Sequence, residues 1–232
     1  MVLDVETSFC ALAVGLADAA PRPDFRRAAL QSLVGASMLA FRMEDGAFLD
    51  WKLVSLEADR DEAEMIRSIG TRLSELHQTG GRLITFNGGH DLSVLRRRAN
   101  RHWLFGAIAA DAWLDDPTEV HLDMMLLDPA SRAGRFPSLV DAAAGYGFDA
   151  RCAAPEKVSA VTVRTTRKSQ VDCVATALLF LHHLADLGGT VEPLARGWLS
   201  LAEFLAGCRP PSDHLRQFWR HPFVSTARQF LG

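Results

Sequence analysis

Lysine is nearly missing from this chain: of its 25 basic residues only Lys52, Lys157 and Lys168 are lysines, and the other 22 are arginines. Guanidinium groups suit two-point contacts to phosphate or carboxylate, but abundance alone selects no partner. Cysteine is sparse and scattered. Cys10, Cys152, Cys173 and Cys208 form no C-x-x-C pair, which argues against a zinc site, a redox motif or a disulfide framework and leaves reduced, buried thiols as the expectation. There is no G-x-x-x-x-G-K, H-E-x-x-H or G-x-S-x-G, so nucleotide-binding loops, zinc peptidases and serine hydrolases lose support. No apolar run approaches the roughly 18 residues of a membrane span. The opening MVLDVETS carries two acids where a secretory leader would be basic and then apolar, so a soluble, cytoplasmic protein is expected. The net charge of −3 provides no basic excess with which to coat long duplexes, so any nucleic-acid contact is expected to be local.

What remains is ample for a core: 232 residues, 48% of them apolar and 23% charged, predict one domain or one with a small appendage. Val2, Leu3 and Val5 predict a short first strand ending at Thr7. The stretch to about residue 30, with Pro21 and Pro23, reads as a loop closing in a short helix over Asp24 to Gln31. Leu33 to Arg42 and Phe48 to Ser55, joined by Glu44-Asp45-Gly46, predict an antiparallel hairpin. Met65, Ile66, Ile69, Leu73 and Leu76 recur at helical spacing behind the early acids Asp61, Glu62 and Glu64, which predicts a helix over 60–78.

Arg82 to Phe86 predicts a strand that turns through Asn87-Gly88-Gly89 into a helix from about His90 to Trp103. A strand near His121 to Leu126 and a helix from Ser138 to Tyr146 follow. Residues 150–166 show no strong period, whereas Val171, Val174, Leu178, Leu181 and Ala185 predict a helix over 169–187. The region from about 190 to 232 reads as a helical C-terminal extension broken at Pro210-Pro211. This order implies an α/β domain, a mixed central sheet with helices on both faces.

Three features carry candidate chemistry. Asp4 and Glu6 are two residues apart on a strand, so they leave the same face near the carboxyl end, where open α/β sheets bind ligands. Carboxylates about 4 Å apart repel by roughly 1–4 kcal/mol at effective dielectrics of 80 to 20, which calls for a proton or a hard cation. The plainer alternative is a pair of exposed acids near a terminus. Asp91 falls in the first turn of the helix after the glycine turn, where the helix dipole favours an acid with or without a function. Asp172, in Lys168-Ser169-Gln170-Val171-Asp172-Cys173, is placed in the opening turn of a late helix and invites the same plain explanation. Taken together, four carboxylates from three stretches match two divalent cations.

Leu3-Asp4-Val5-Glu6-Thr7, the run Ile84-Thr85-Phe86-Asn87-Gly88-Gly89-His90-Asp91-Leu92 and Val171-Asp172-Cys173-Val174-Ala175-Thr176 resemble the three motifs of the DEDD superfamily of 3′-to-5′ exonucleases. The similarity is greatest to the predicted exonucleases related to the proofreading domain of family B DNA polymerases, and it extends over His121-Leu122-Asp123 and the helix at Ser138. The resemblance implies a single ribonuclease H-like domain over residues 1–232. It also implies hydrolysis at the 3′ end of a single-stranded nucleic acid, DNA ahead of RNA. Asp4, Glu6, Asp91 and Asp172 are then ligands of two ions, Mg²⁺ or Mn²⁺, and Asp123 is structural. Thr7 and Asn87 are similar to positions that touch the terminal nucleotide; a strand-end hydroxyl and a turn amide are their plain readings.

One departure stands out. In this family a tyrosine usually precedes the last aspartate by four residues, or in other branches a histidine by five, to orient the attacking water. Here those positions hold Lys168 and Arg167, and neither is a good general base while protonated. Lys168 could bind the scissile phosphate or stand in for a lost metal charge. The alternatives to an active enzyme are therefore a weakened or inactive nucleic-acid-binding module and, if the acids never meet, a structural α/β protein. Arg164 and Arg167 are the favoured substrate contacts. Arg96, Arg97, Arg98 and Arg101 are further candidates, although three consecutive helical residues cannot face one cleft. His182-His183 suggests packing rather than a metal, and nothing ties Tyr146 to the site.

Overall fold

A computed structural model describes residues 1–9, 31–56, 61–108, 113, 120–152, 161–208 and 212–232; for 4–9, 31–32 and 161–162 the description covers the backbone alone. Five strands form one mixed sheet in the order β3-β2-β1-β4-β5. They are β1 (Val2–Phe9), β2 (Gln31–Glu44), β3 (Ala47–Leu56), β4 (Leu83–Thr85) and β5 (His121–Asp123). β2 is antiparallel to β1 and β3, while β1, β4 and β5 run parallel. The hairpin lies where the pattern predicts it. Asp45 and Gly46 both take positive φ, 49° and 76°, the geometry of a two-residue turn that matches the strand twist.

The pleat divides the core into two. Leu3, Met38 and Leu83 pack with Met65, Ile66, Ile69 and Leu73 of α1 (Glu62–Gln78) and with Leu92 and Leu95 of α2 (Gly88–Arg101). Their sequence neighbours Val2, Leu39 and Ile84 point the other way, into a cluster with α3 (Leu139–Gly145), α4 (Val161–Gly188) and α5 (Glu192–Gly207). Alternate residues of a strand leave opposite faces, so helices cover both sides of the sheet. α6 (Pro222–Leu231) completes the helical C-terminal region and buries Val224 and Ala227.

Several boundaries differ from expectation. β1 continues to Phe9, and Gln31 belongs to β2; the rest of the helix expected over Asp24 to Gln31, and Cys10, lie outside the described residues. β5 stops at Asp123, because the Asp123 carboxylate accepts from Met125 N and caps a single helical turn over Met124–Leu127. α2 begins two residues before His90, at Gly88. The largest correction concerns α4, which starts at Val161 rather than 169. Asp172 is thus eleven residues into the helix and gains nothing from its amino-terminal dipole, whose effect fades within the first turn. The period is weak before 169 because Val163, Arg164 and Lys168 face solvent while Thr166 and Ser169 are buried polar residues.

By length and composition Val163–Gly188 is also apolar enough to cross a membrane, contrary to the expectation that no such segment exists. More than half of its most apolar stretch is buried within the protein, as in a core helix.

Candidate functional site

β1 is the central strand, and its backbone register decides where the acid pair stands. Asp4 pairs with Ser37 and Glu6 with Gly35, and the register slips between Glu6 and Thr7; such bulges recur next to functional sites. Val2 is level with Ile84 of the parallel strand β4, so continuing that register sets position 4 beside Phe86, at the exit into the Asn87 turn. The side chains of Asp4, Glu6 and Thr7 lie outside the described residues.

α4 crosses the face of the sheet to which positions 2, 4 and 6 belong. The Ser37 and Ser169 hydroxyls are 2.6 Å apart, and Cys173 Sγ donates to Ser37 O at 3.1 Å. One turn earlier the helix passes over Gly35, where a β-carbon would come within 3.3 Å of Thr165 Cγ2. Both register partners of the acid pair therefore lie beneath the helix that carries Asp172. The buried hydroxyls continue into a chain with a single possible direction. Ser169 Oγ donates to Thr166 O, so Ser37 must donate to Ser169 and Ser55 to Ser37. Ser55 accepts from Gln170 Nε2, and Gln170 Oε1 accepts from His214 Nε2. Burial and the neighbouring Arg167 charge push His214 down to about 4, against the opposing influence of Asp213.

The turn before α2 is gripped from β5. Asn87 N and Gly88 N donate to the two oxygens of Asp123 at 2.9 and 2.8 Å. Asn87 takes a left-handed conformation, φ 66° and ψ 39°, and its exposed side chain makes no capping bond to the helix. A β-carbon on Gly88 would lie 2.0 Å from Thr85 Oγ1 and 2.6 Å from His121 Nε2, so only glycine fits. His121 Nδ1 faces Trp113 O, which can only accept; Nδ1 therefore carries the proton, and the Thr85 hydroxyl donates to Nε2 at 2.8 Å. Burial holds His121 below its ordinary value despite the Asp123 charge and the Trp113 carbonyl. Asp91 follows in the first turn of α2 and is buried. Asp123 has the structural role expected of it.

Arg164, Lys168 and Asp172 succeed one another at four-residue steps along α4 and line one wall of an open groove of about 540 Å³. Ser138, Arg151 and Cys152 line it too. Lys168 Nζ is 2.6 Å from Asp172 Oδ2; the lysine side chain is 52% exposed and the aspartate side chain 14%. Burial and the Asp172 charge push the Cys152 thiol up, against the pull of Arg167, Lys168 and Arg164. Ser138, Arg151 and Cys152 were not singled out from sequence, because residues fourteen apart carry no mutual periodicity.

One expectation needs correction. Arg98 is no substrate contact: it is buried and forms a two-point ion pair with Glu62, to which Leu33 N and His102 Nε2 also bond, each at 2.7 Å. Arg96, Arg97 and Arg101 are exposed. Arg167 is half-buried beside His214, and its charge also acts on Cys152 of the groove. Tyr146 packs on His182, whose ring also meets Phe148 and Trp198, so both residues serve packing, ten helix positions beyond Asp172. Cys152 and Cys208 are half-buried, and Cys173 is fully buried.

Among the described residues no group of three or more His, Cys, Asp and Glu is arranged to hold a metal ion. The four-acid set reaches outside them through the Asp4 and Glu6 carboxylates. Comparison with family models, with curated proteins and with solved structures finds no match.

Proposed function

We propose that this chain is a metal-dependent 3′-to-5′ exonuclease with a ribonuclease H-like fold, acting in the cytoplasm on single-stranded DNA ends, with RNA as the secondary substrate. The observation that carries the reading is the crossing of α4 over the β1–β2 pair. It sets the segment bearing Asp172 above Ser37 and Gly35, the partners of Asp4 and Glu6. The five-stranded mixed sheet with helices on both faces and the buried Asp91 at the parallel-strand exit support it as well.

Asp4, Glu6, Asp91 and Asp172 would hold divalent ions, Mg²⁺ or Mn²⁺, which when bound supply an activated water and offset charge at phosphorus. The chain's own contribution is binding and orientation. Arg164 and Lys168 draw the phosphate backbone along the groove, Thr7 and Asn87 meet the terminal nucleotide, and Asp123 holds the turn that presents Asn87 and Asp91.

A second reading is a binding module with slow or lost turnover. It is favoured by the Lys168–Asp172 ion pair, which puts a cation where a water-orienting group is expected. Incubating 5′-labelled single strands with each divalent ion separates the two. A ladder of products from wild type, absent from Asp4→Ala and Asp172→Ala, is the expected result. Metal-dependent binding without shortening selects the second reading, and neither binding nor shortening rejects both.

A further inference from the structure

We propose that the Lys168 ammonium is a built-in cation of this site, taking on Asp172 the place of one divalent ion, so that the chain binds a single divalent ion instead of two. The proposal rests on the exonuclease reading and deepens it by assigning the cation content of the same site.

The contact itself is the first argument. Lys168 Nζ lies 2.6 Å from Asp172 Oδ2, with the two residues one helical turn apart on α4. An ammonium carries three N–H donors and no acceptor. It can therefore hold a carboxylate oxygen and a phosphate oxygen together, the bridging service that a hard cation performs between an acidic site and a phosphodiester. The position is suited to both partners: the lysine side chain is half exposed on the groove wall, while the Asp172 side chain is largely buried beneath it. Arg164 stands one turn further along the same wall, so a strand following the groove meets Arg164 and then Lys168 before it reaches the acids.

Charge supplies the second argument. The structure has the Lys168 ammonium on the Asp172 carboxylate, so a phosphate contact from this lysine is made together with the acid and not apart from it. A divalent ion brought onto the same oxygen would have to displace the ammonium or sit against it, and like charges at contact distance repel. Replacing a divalent ion by a tethered monovalent cation leaves the acids less fully neutralised. Arg164 adds positive charge on the same wall, whereas the Arg151 guanidinium is paired with Asp149.

The test counts ions. Wild type, Lys168→Met and Lys168→Gln are titrated with Mn²⁺, and free Mn²⁺ is read by electron paramagnetic resonance, with Asp91→Asn as the control for the acidic site. The expected result is one tightly held Mn²⁺ in wild type, loss of that ion in Asp91→Asn, and a second tightly held ion in both lysine variants. Two ions in wild type, or one ion in both lysine variants, overturns the inference and leaves the exonuclease reading standing. Mn²⁺ binding that is absent from wild type, or unaffected by Asp91→Asn, overturns that reading and the inference with it.

Discussion

The hydroxyls of Ser37 and Ser169 meet at 2.6 Å between the middle of the sheet and the helix that crosses it. Both side chains are fully buried, and Ser37 is the register partner of Asp4. This contact fixes where α4 crosses the β1–β2 pair. Ser37→Ala strips Ser55 of its acceptor and Ser169 of its donor. Leaving a buried polar group unpaired costs about 1–3 kcal/mol, so urea unfolding of Ser37→Ala should show a loss in that range, with an unchanged dependence on denaturant. A loss within error of zero would show that the contact does not hold the helix.

Asp123 should matter to the turn as a whole. Its two oxygens serve Asn87 N and Gly88 N, and hydrogen bonds to a charged acceptor contribute about 1.5–3 kcal/mol each. Asp123→Ala is expected to destabilise the protein by about 3 kcal/mol and to accelerate amide hydrogen exchange at positions 87 and 88 ahead of the rest of the chain. Gly88→Ala, which forces an overlap with Thr85 and His121, should be similarly damaging, on the order of 2 kcal/mol or more.

The Glu62–Arg98 pair sets an acid limit. Burial pushes the Glu62 carboxyl up, but hydrogen bonds from Arg98, His102 and Leu33 N, with the Arg98 charge, outweigh it and hold the group below its ordinary value. A carboxyl lower in the folded than in the unfolded state stabilises fully above the unfolded value of about 4.3, and that stabilisation is lost as pH falls through the folded value. Glu62→Gln should remove this slope. It should also cost about 3–5 kcal/mol near neutrality by leaving a buried guanidinium without its counter-charge. Melting curves of both proteins between pH 3 and 7, roughly the span bracketing those values, provide the check.

His214 acts in a neighbouring range. Its folded value, about 4, lies below the unfolded value of about 6.5, so between the two the unfolded chain binds the extra proton. Stability from this group is complete above about pH 6.5 and declines as pH falls toward the folded value. His214→Gln keeps a donor for Gln170 Oε1 and should flatten that decline; equal slopes in the two proteins would count against the buried, neutral imidazole.

Arg164 lines the groove without touching the ion pair below it. Arg164→Ala should weaken single-strand binding at low salt and reduce the steepness of its salt dependence by about 0.7, the share of one phosphate contact on a single strand. Filter binding of a labelled oligonucleotide across a salt series measures both. An unchanged slope would remove Arg164 from the strand path.

Local chemistry was legible in the sequence. Asp45-Gly46 needs two positive φ values and so announces the hairpin; the apolar period of α1 and the acid at its start announce that helix, which Asp61 caps through Ala63 N and Glu64 N. The acid pair, the glycine turn with Asp91, and Asp172 could be named because each belongs to a short contiguous motif. The height at which α4 lies across β1 could not be read, since no spacing along the chain encodes it.

Only tertiary packing decided that Arg98 is spent on Glu62 and that Arg167 sits by His214 while Arg164 and Lys168 border the groove. The same packing joined Ser138 and Cys152 to that groove and made α4 begin at Val161. Backbone preferences and periodicity act over a few residues and therefore show in sequence. Buried hydroxyl chains and ion pairs join positions up to 132 residues apart, and their energies exist only once the sheet and its helices have closed on one another.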